Sequence, residues 1–276
     1  MLLGLIFIVS SFVSGCSDQD AETKKGENQS AELSGSITIA GSTSVQPFSE
    51  VLGAKFHEKY PEVQVNVQGG GSSQGVTAAA SGAADIGAAS RDLKETEKDK
   101  GLVVTKIALD GVAIIVNPAN AEVNDLTVEQ VRNIYLGNIT NWQEVGGKDA
   151  AITVVCREEG SGTRDCFADK VMDKQDITDQ AIIQNSNGAV RTTVAGDENA
   201  IGFVSLAIVN DEVKALKIEG VEASLDNIKN GNYKIFRNFN YLTKGEPEGL
   251  VKEYIDFVLS DEGQSIIEEE GAISIR

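Results

Sequence analysis

Three times along this chain an alternating apolar stretch runs into a cluster of glycines and hydroxyls and then into helical spacing. Ile37 and Ile39 lead into Gly41, Ser42, Thr43 and Ser44, after which Val45, Phe48, Leu52, Phe56 and Tyr60 recur at helical intervals. Val63, Val65 and Val67 lead into GGGSSQG at 69–75 and a small-residue helix through Ala80. The stretch Ile152 to Arg157 leads into EEGSGTRD at 158–165 and a helix through Met172. The pattern predicts an α/β chain, with a helix starting at Ser42 to Ser44 in the first unit. At such a turn the first N–H groups of the helix point outward, the helix dipole adds partial positive charge, and glycine lets the backbone come close. Ser and Thr contribute neutral donors. One such turn is explained equally well by helix capping; three in one chain, one of them preceded by Arg157, point to a small tetrahedral anion. A further short strand, 85–92, ends in Ser90 and Arg91, where strand ends meet ligands in open α/β sheets.

Charge and the N-terminal residues restrict the setting. Forty-two acidic against 24 basic residues leave a formal charge of -18, which disfavours nucleic acid and anionic membrane surfaces as partners. An anion must therefore be bound by local geometry, against the field of the whole chain. Residues 1–15 read as a signal peptide, an apolar run too short for a permanent span and ending in small residues. Val13, Ser14, Gly15 and Cys16 resemble the lipobox of bacterial lipoproteins, in which the Cys is acylated and becomes the first mature residue. Residues 16–33 are polar enough to form a flexible tether. The expected location is thus extracytoplasmic, on the outer face of the cytoplasmic membrane (periplasm or cell surface), held by a lipid anchor only.

Other chemistries fit less well. Gly71, Ser72, Ser73, Gln74 and Gly75 match G-x-S-x-G, which would make Ser73 the nucleophile of a serine hydrolase. The lone histidine, His57, precedes it in the chain and reads as a surface residue of its helix. No Lys closes the glycine-rich turn as a nucleotide-binding loop requires, and one His without clustered Cys gives no metal site. No cofactor is expected. Cys156 and Cys166 flank the third turn; in an exported chain they either form a disulfide or remain two free, buried thiols. Trp142 and Tyr135 read as core packing, and Ser186, Asn187 and Gly188 as a helix start that could lend a hydroxyl to the cleft.

The segments SITIAGSTSVQPF, VQGGGSSQGV, ADIGAASRDL, LTVEQVRNIYLGNITNW, CREEGSGTRD and GAVRTTVAGDENAIGFVSL, in this order, resemble the substrate-binding proteins of phosphate ABC importers over most of 36–276. The resemblance implies a two-lobed periplasmic-binding-protein fold of type II, with two hinge crossings near Leu109–Val116 and Lys234–Phe239 and a ligand cleft between the lobes. One lobe would be 34–111 with 238–276, the other 112–237. It implies a monomeric, non-enzymatic receptor for inorganic phosphate that delivers to an ABC permease and its ATPase. The phosphate contacts carried over by motif are Thr43, Ser44, Ser72, Arg157, Ser161, Gly162 and Thr163. The chain departs from the family where Arg91 replaces an Asp that accepts a proton from the ligand and separates phosphate from sulfate. The discriminating acceptor is then expected at Asp92 or Glu159, and Arg91 is expected to touch the anion as a second cation beside Arg157, balanced by a nearby carboxylate. Sulfate or molybdate is the alternative ligand.

Overall fold

The computed structural model describes residues 33–276; the leader, Cys16 and the tether through residue 32 lie outside the described residues. The first unit becomes β1 (Gly35–Gly41) and α1 (Gln46–Lys59), the second β2 (Val63–Gly69) and α2 (Ser72–Ser81), followed by β3 (Ile86–Ala89). The apolar alternation of β1 puts Ile37 and Ile39 against the Phe48, Leu52 and Phe56 stripe of α1, all fully buried or nearly so. Each of these side chains contributes roughly 1.5–3 kcal/mol through removal from water. The helix starts later than its apolar spacing predicts. Pro47 occupies its first turn, where a missing N–H costs nothing, and Ser42 instead closes a tight turn by accepting from the N–H groups of Val45 and Gln46. Thr43 and Ser44 are thereby left in a turn at the carboxyl end of β1.

The chain continues through β4 (Leu102–Val116), β5 (Asp125–Leu126), α3 (Val128–Leu136), β6 (Thr153–Arg157), α4 (Gly162–Lys170), β7 (Ile182–Gln184), α5 (Asn187–Gly196) and β8 (Ala200–Ser205). It closes with β9 (Lys214–Ala215), β10 (Lys217–Ile218), α6 (Leu225–Lys229), β11 (Phe236–Lys244), α7 (Gly249–Leu259) and α8 (Asp261–Glu269). The main sheet has the order β2-β1-β3-β11-β4-β8-β6-β7, with β9 also on β4, while β10 and β5 form a small separate pair. β1, β2 and β3 are mutually parallel, as are β6, β7 and β8, and the antiparallel β4 and β11 stand between the two sets.

β4 is long because it serves two cores. Its Ile107 and Ala108 join the core of β1 and α1, whereas Val112 to Val116 join a second core with Tyr135, Trp142, Phe167 and Phe203. β11 makes the return crossing: Phe239 and Tyr241 pack in the first core and Phe236 against the second. The two crossing strands pair side by side, with a bulge at Phe239/Asn240 that sharpens their twist. This is the two-lobed α/β fold with two crossings that the resemblance implies. Trp142 and Tyr135 are core residues as expected; the indole N–H donates to Asn199 O (3.0 Å) and the phenol to Val155 O (3.2 Å).

Candidate anion-binding site

Turns from both lobes meet at a closed seam. Gly41 ends β1 at φ 139°, and a Cβ there would stand 2.2 Å from Ala88 O, so glycine alone lets the first turn lie against β3. From the other lobe, Ser161 caps α4 by accepting from the N–H of Arg164. The N–H groups of Gly162 and Thr163 that open the helix have no acceptor among the described residues, the usual state of a helix start. Across the seam Ser44 Oγ lies 3.0 Å from Thr163 Oγ1, and Ser73 N–H donates to Gly160 O (3.0 Å). A Cβ on Gly162 would stand 2.4 Å from Ser72 Oγ and 2.5 Å from Ser90 Oγ. Thr43, Ser44, Ser72, Ser161, Gly162 and Thr163 are thus gathered along one seam, and all but the half-buried Thr43 are buried.

Arg157, at the end of β6, is 1% exposed. Its Nε and Nη2 are held by both oxygens of Glu158 at 2.8 Å, which fixes the plane of the guanidinium and leaves its remaining edge unused. Glu159, a candidate for the discriminating acceptor, is exposed. Asp92 is exposed as well and accepts from the side-chain amides of Asn238 and Asn240.

Arg91, expected to touch the anion, is drawn into a cluster of ion pairs. Its Nη1 and Nη2 donate to the two oxygens of Glu97 (2.7 and 2.9 Å), Nη2 also donates to Ser73 Oγ (3.0 Å), and Nε forms an ion pair with Asp165 of α4 at 2.8 Å. Both Nη groups are thus engaged, while Nε faces Asp165 as a charge partner without a hydrogen bond. The balancing group is Glu97, six residues on, in an acidic-basic run that along the sequence has the pattern of a solvated face. Desolvation pushes the Glu97 carboxyl upward, but hydrogen bonds from Arg91 and the Lys94 N–H and the charges of both outweigh it and hold the group below the usual range. The ion pair with Asp165, shared by Lys94 Nζ at 3.0 Å, joins the two lobes beside the seam. Ser73, the candidate nucleophile, accepts at Oγ from Arg91, and His57, on the surface of α1, donates from Nδ1 to Val63 O (2.7 Å), so nucleophile and base do not meet.

Cys156 and Cys166 are free thiols, the second of the two alternatives that the sequence leaves open. Cys156 is buried in β6, while Cys166 turns its Sγ toward Phe236 O at 3.7 Å. Burial raises both thiols, Cys166 to about 11.

A second polar cluster lies on the crossing strands. Asp110 of β4 is fully buried, accepts from Arg237 Nε and Nη2 (3.2 and 2.8 Å) through one oxygen, and from Ser205 Oγ (2.8 Å) through the other. Burial pushes its carboxyl up; Arg237, Ser205 and the Leu206 N–H pull it back. Ser205 N–H donates to Asn187 Oδ1, and Asn187 Nδ2 reaches across the seam to Thr43 Oγ1 (3.1 Å) and Ser44 Oγ (2.8 Å). Arg237 Nη2 meets the same Ser44 Oγ at 2.9 Å. The available signal was a lone Asp in the apolar run Ile107 to Val116 facing a lone Arg in Phe236 to Phe239, since isolated opposite charges in two paired strands tend to be mutual partners. Beside this cluster a groove of ≈ 530 Å³ opens to solvent, bordered by the 91–94 segment, α4 and the 236–238 segment of β11.

Residues 26–262 match the family described as PBP superfamily domain. The phosphate-binding protein PstS of Bacillus subtilis is 34% identical over 285 residues, covering 100% of this chain and 94% of the relative. A phosphate ABC transporter substrate-binding protein of Clostridium perfringens, solved with bound phosphate, superposes with a TM-score of 0.85 at 44% identity, over 88% of this chain and 100% of that one. An ABC-type phosphate transport receptor of Vibrio cholerae superposes with a TM-score of 0.72 at 40% identity, over 86% and 99%.

Proposed function

The chain belongs to the PBP superfamily and, within it, to the phosphate-binding proteins named PstS, and from that premise we propose that it captures inorganic phosphate outside the cytoplasmic membrane for an ABC importer. The observation that carries this reading is the meeting of hydroxyls and unused N–H groups from two lobes, with a buried, pre-oriented guanidinium at Arg157. Phosphate would enter between the lobes. Thr43, Ser44 and Ser72 from one side and Ser161, Gly162 and Thr163 from the other desolvate it with neutral donors, and Arg157 supplies charge-assisted hydrogen bonds through its unused edge. No bond is made or broken, and the protein acts by binding and closure alone.

Closure depends on the two crossings. The lobes, 34–111 with 238–276 and 112–237, rotate about β4 and β11, and the closed face is what the permease with its ATPase would read. The receptor is held by a lipid anchor at Cys16, a reading that rests on the leader and tether composition, and works as a monomer, as the resemblance implies. None of the described helices is long and apolar enough to cross a membrane.

The test is calorimetric titration of the refolded, ligand-free chain with phosphate and with sulfate at two pH values. Tight phosphate binding with weak sulfate binding supports the reading. Comparable binding of both anions would refute phosphate selectivity, and no binding of either would refute the assignment of the seam.

A further inference from the structure

Arg237 is a buried cation outside the motif-derived contacts, and its hydrogen bonding is incomplete. Its side chain is 3% exposed, and Nη1 has no partner among the described residues. A guanidinium has two paired edges. Asp110 occupies the Nε/Nη2 edge, and the second hydrogen of Nη2 goes to Ser44 Oγ, so the incomplete Nη1/Nη2 edge is the one turned toward Ser44 and the seam. An unpaired buried guanidinium nitrogen is costly, and it persists where a ligand atom completes it.

Hydrogen-bond accounting of the neighbouring hydroxyls leads to the same place. Ser44 Oγ receives two donor-only groups, Arg237 Nη2 at 2.9 Å and Asn187 Nδ2 at 2.8 Å, which fill its two lone pairs. The amide of Asn187 is oriented by Ser205 N–H on its oxygen, so its nitrogen must be the group facing the seam. Ser44 can then only donate, here to Thr163 Oγ1, whose own hydrogen has no acceptor among the described residues. Thr43 Oγ1 likewise receives Asn187 Nδ2 at 3.1 Å and Asn187 N–H at 3.4 Å, so its hydrogen too is left to give. The seam therefore presents free hydrogens from Thr43, Thr163 and Arg237 Nη1, in a network anchored on one buried carboxylate, directly at Arg237 and through Ser205 at Asn187.

We propose that Arg237 is a second cation of the phosphate site, meeting the anion through Nη1, and that Asn187 is the positioning residue that fixes the hydroxyl hydrogens of Thr43 and Ser44. The proposal rests on the phosphate reading above and refines it. It transfers to β11 the role that the sequence suggested for Arg91. An array made only of donors favours the anion with the most bare oxygens, so phosphate binds more tightly as it loses its second proton.

The test uses the full chain and inorganic phosphate, with calorimetry at pH 6 and pH 8 on the wild type, Arg237→Lys and Asn187→Ala. Lysine keeps a charge for Asp110 but has no second nitrogen for the ligand. Arg237→Lys is expected to weaken phosphate binding by about ten- to a hundredfold, with a larger loss at pH 8 than at pH 6. Asn187→Ala is expected to flatten the wild type's rise in affinity between the two pH values. Wild-type affinity for Arg237→Lys, or a loss equal at both pH values and matched by a fall in melting temperature, would make Arg237 a structural ion pair only. Wild-type affinity that falls from pH 6 to pH 8 overturns the donor-only array even if a variant fails to fold. A wild type that takes no phosphate overturns the parent reading instead.

Discussion

Adding one methyl group at Gly162 should separate closure from folding. The backbone of Gly162 has an ordinary helical conformation at the first position of α4, so alanine is allowed there and is the better helix former by roughly 0.5–1 kcal/mol. Within its own lobe the substitution is neutral or stabilising. Across the seam, however, the new Cβ would lie 2.4 Å from Ser72 Oγ, 2.5 Å from Ser90 Oγ and 3.0 Å from the Ser90 carbonyl carbon. Comfortable contacts lie near 3.5 Å, so the lobes would have to stay apart by about 1 Å. Ser72 cannot simply rotate away, because its Oγ accepts from Ser90 N–H at 3.0 Å and both residues are buried. Overpacking of this kind costs about 1–3 kcal/mol, and here the whole cost falls on the closed state. Phosphate affinity should fall by about 5- to 150-fold, while the melting temperature of the ligand-free protein stays level or rises. Titration calorimetry and thermal unfolding of Gly162→Ala measure the two quantities independently. Wild-type affinity in a folded Gly162→Ala protein would refute the closed seam as the bound geometry.

The tie beside the seam is weaker. Asp165→Asn removes the ion pairs to Arg91 and Lys94 but leaves Arg91 matched by Glu97, so a loss of about 1 kcal/mol is expected, seen as roughly fivefold faster phosphate release in stopped-flow measurements; an unchanged rate would rule out the tie. Glu97→Gln strips the buried Arg91 of its two-point partner and should cost about 3 kcal/mol in denaturant unfolding at neutral pH. Because the Glu97 carboxyl is held below its ordinary value of 4.5, its contribution is complete above that pH and is lost as pH falls below it and through the lowered value of the folded state. The gap between wild type and variant should accordingly shrink in acid, and a constant gap would contradict the assignment. Cys156 and Cys166 should resist a thiol reagent at pH 8 until the chain is unfolded, with the modified peptides identified by mass; rapid labelling of the native protein, or a mass matching a bridge between them, would contradict two buried, raised thiols.

Much of this protein is written locally. The strand, turn and helix grammar around Gly41, Gly71 and Ser161 depends on neighbours a few residues apart, so the sequence alone determined the α/β class, the anion-shaped turns, and Arg157 at the end of its strand. Even the late start of α1 was within reach, since Pro47 belongs in the first turn of a helix rather than its middle. The destinations of the other two buried arginines were not local. Arg91 looked like a ligand cation because it ends a strand next to Ser90, yet its charge is consumed by Glu97 and by Asp165, 74 positions away in the other lobe. Arg237 looked like part of a crossing strand, yet it reaches Ser44 and is held there by Asp110, which pairs with it only because β4 and β11 lie antiparallel. A buried guanidinium goes wherever its carboxylates are, and which carboxylates lie within about 3 Å is decided by tertiary packing, not by spacing along the chain.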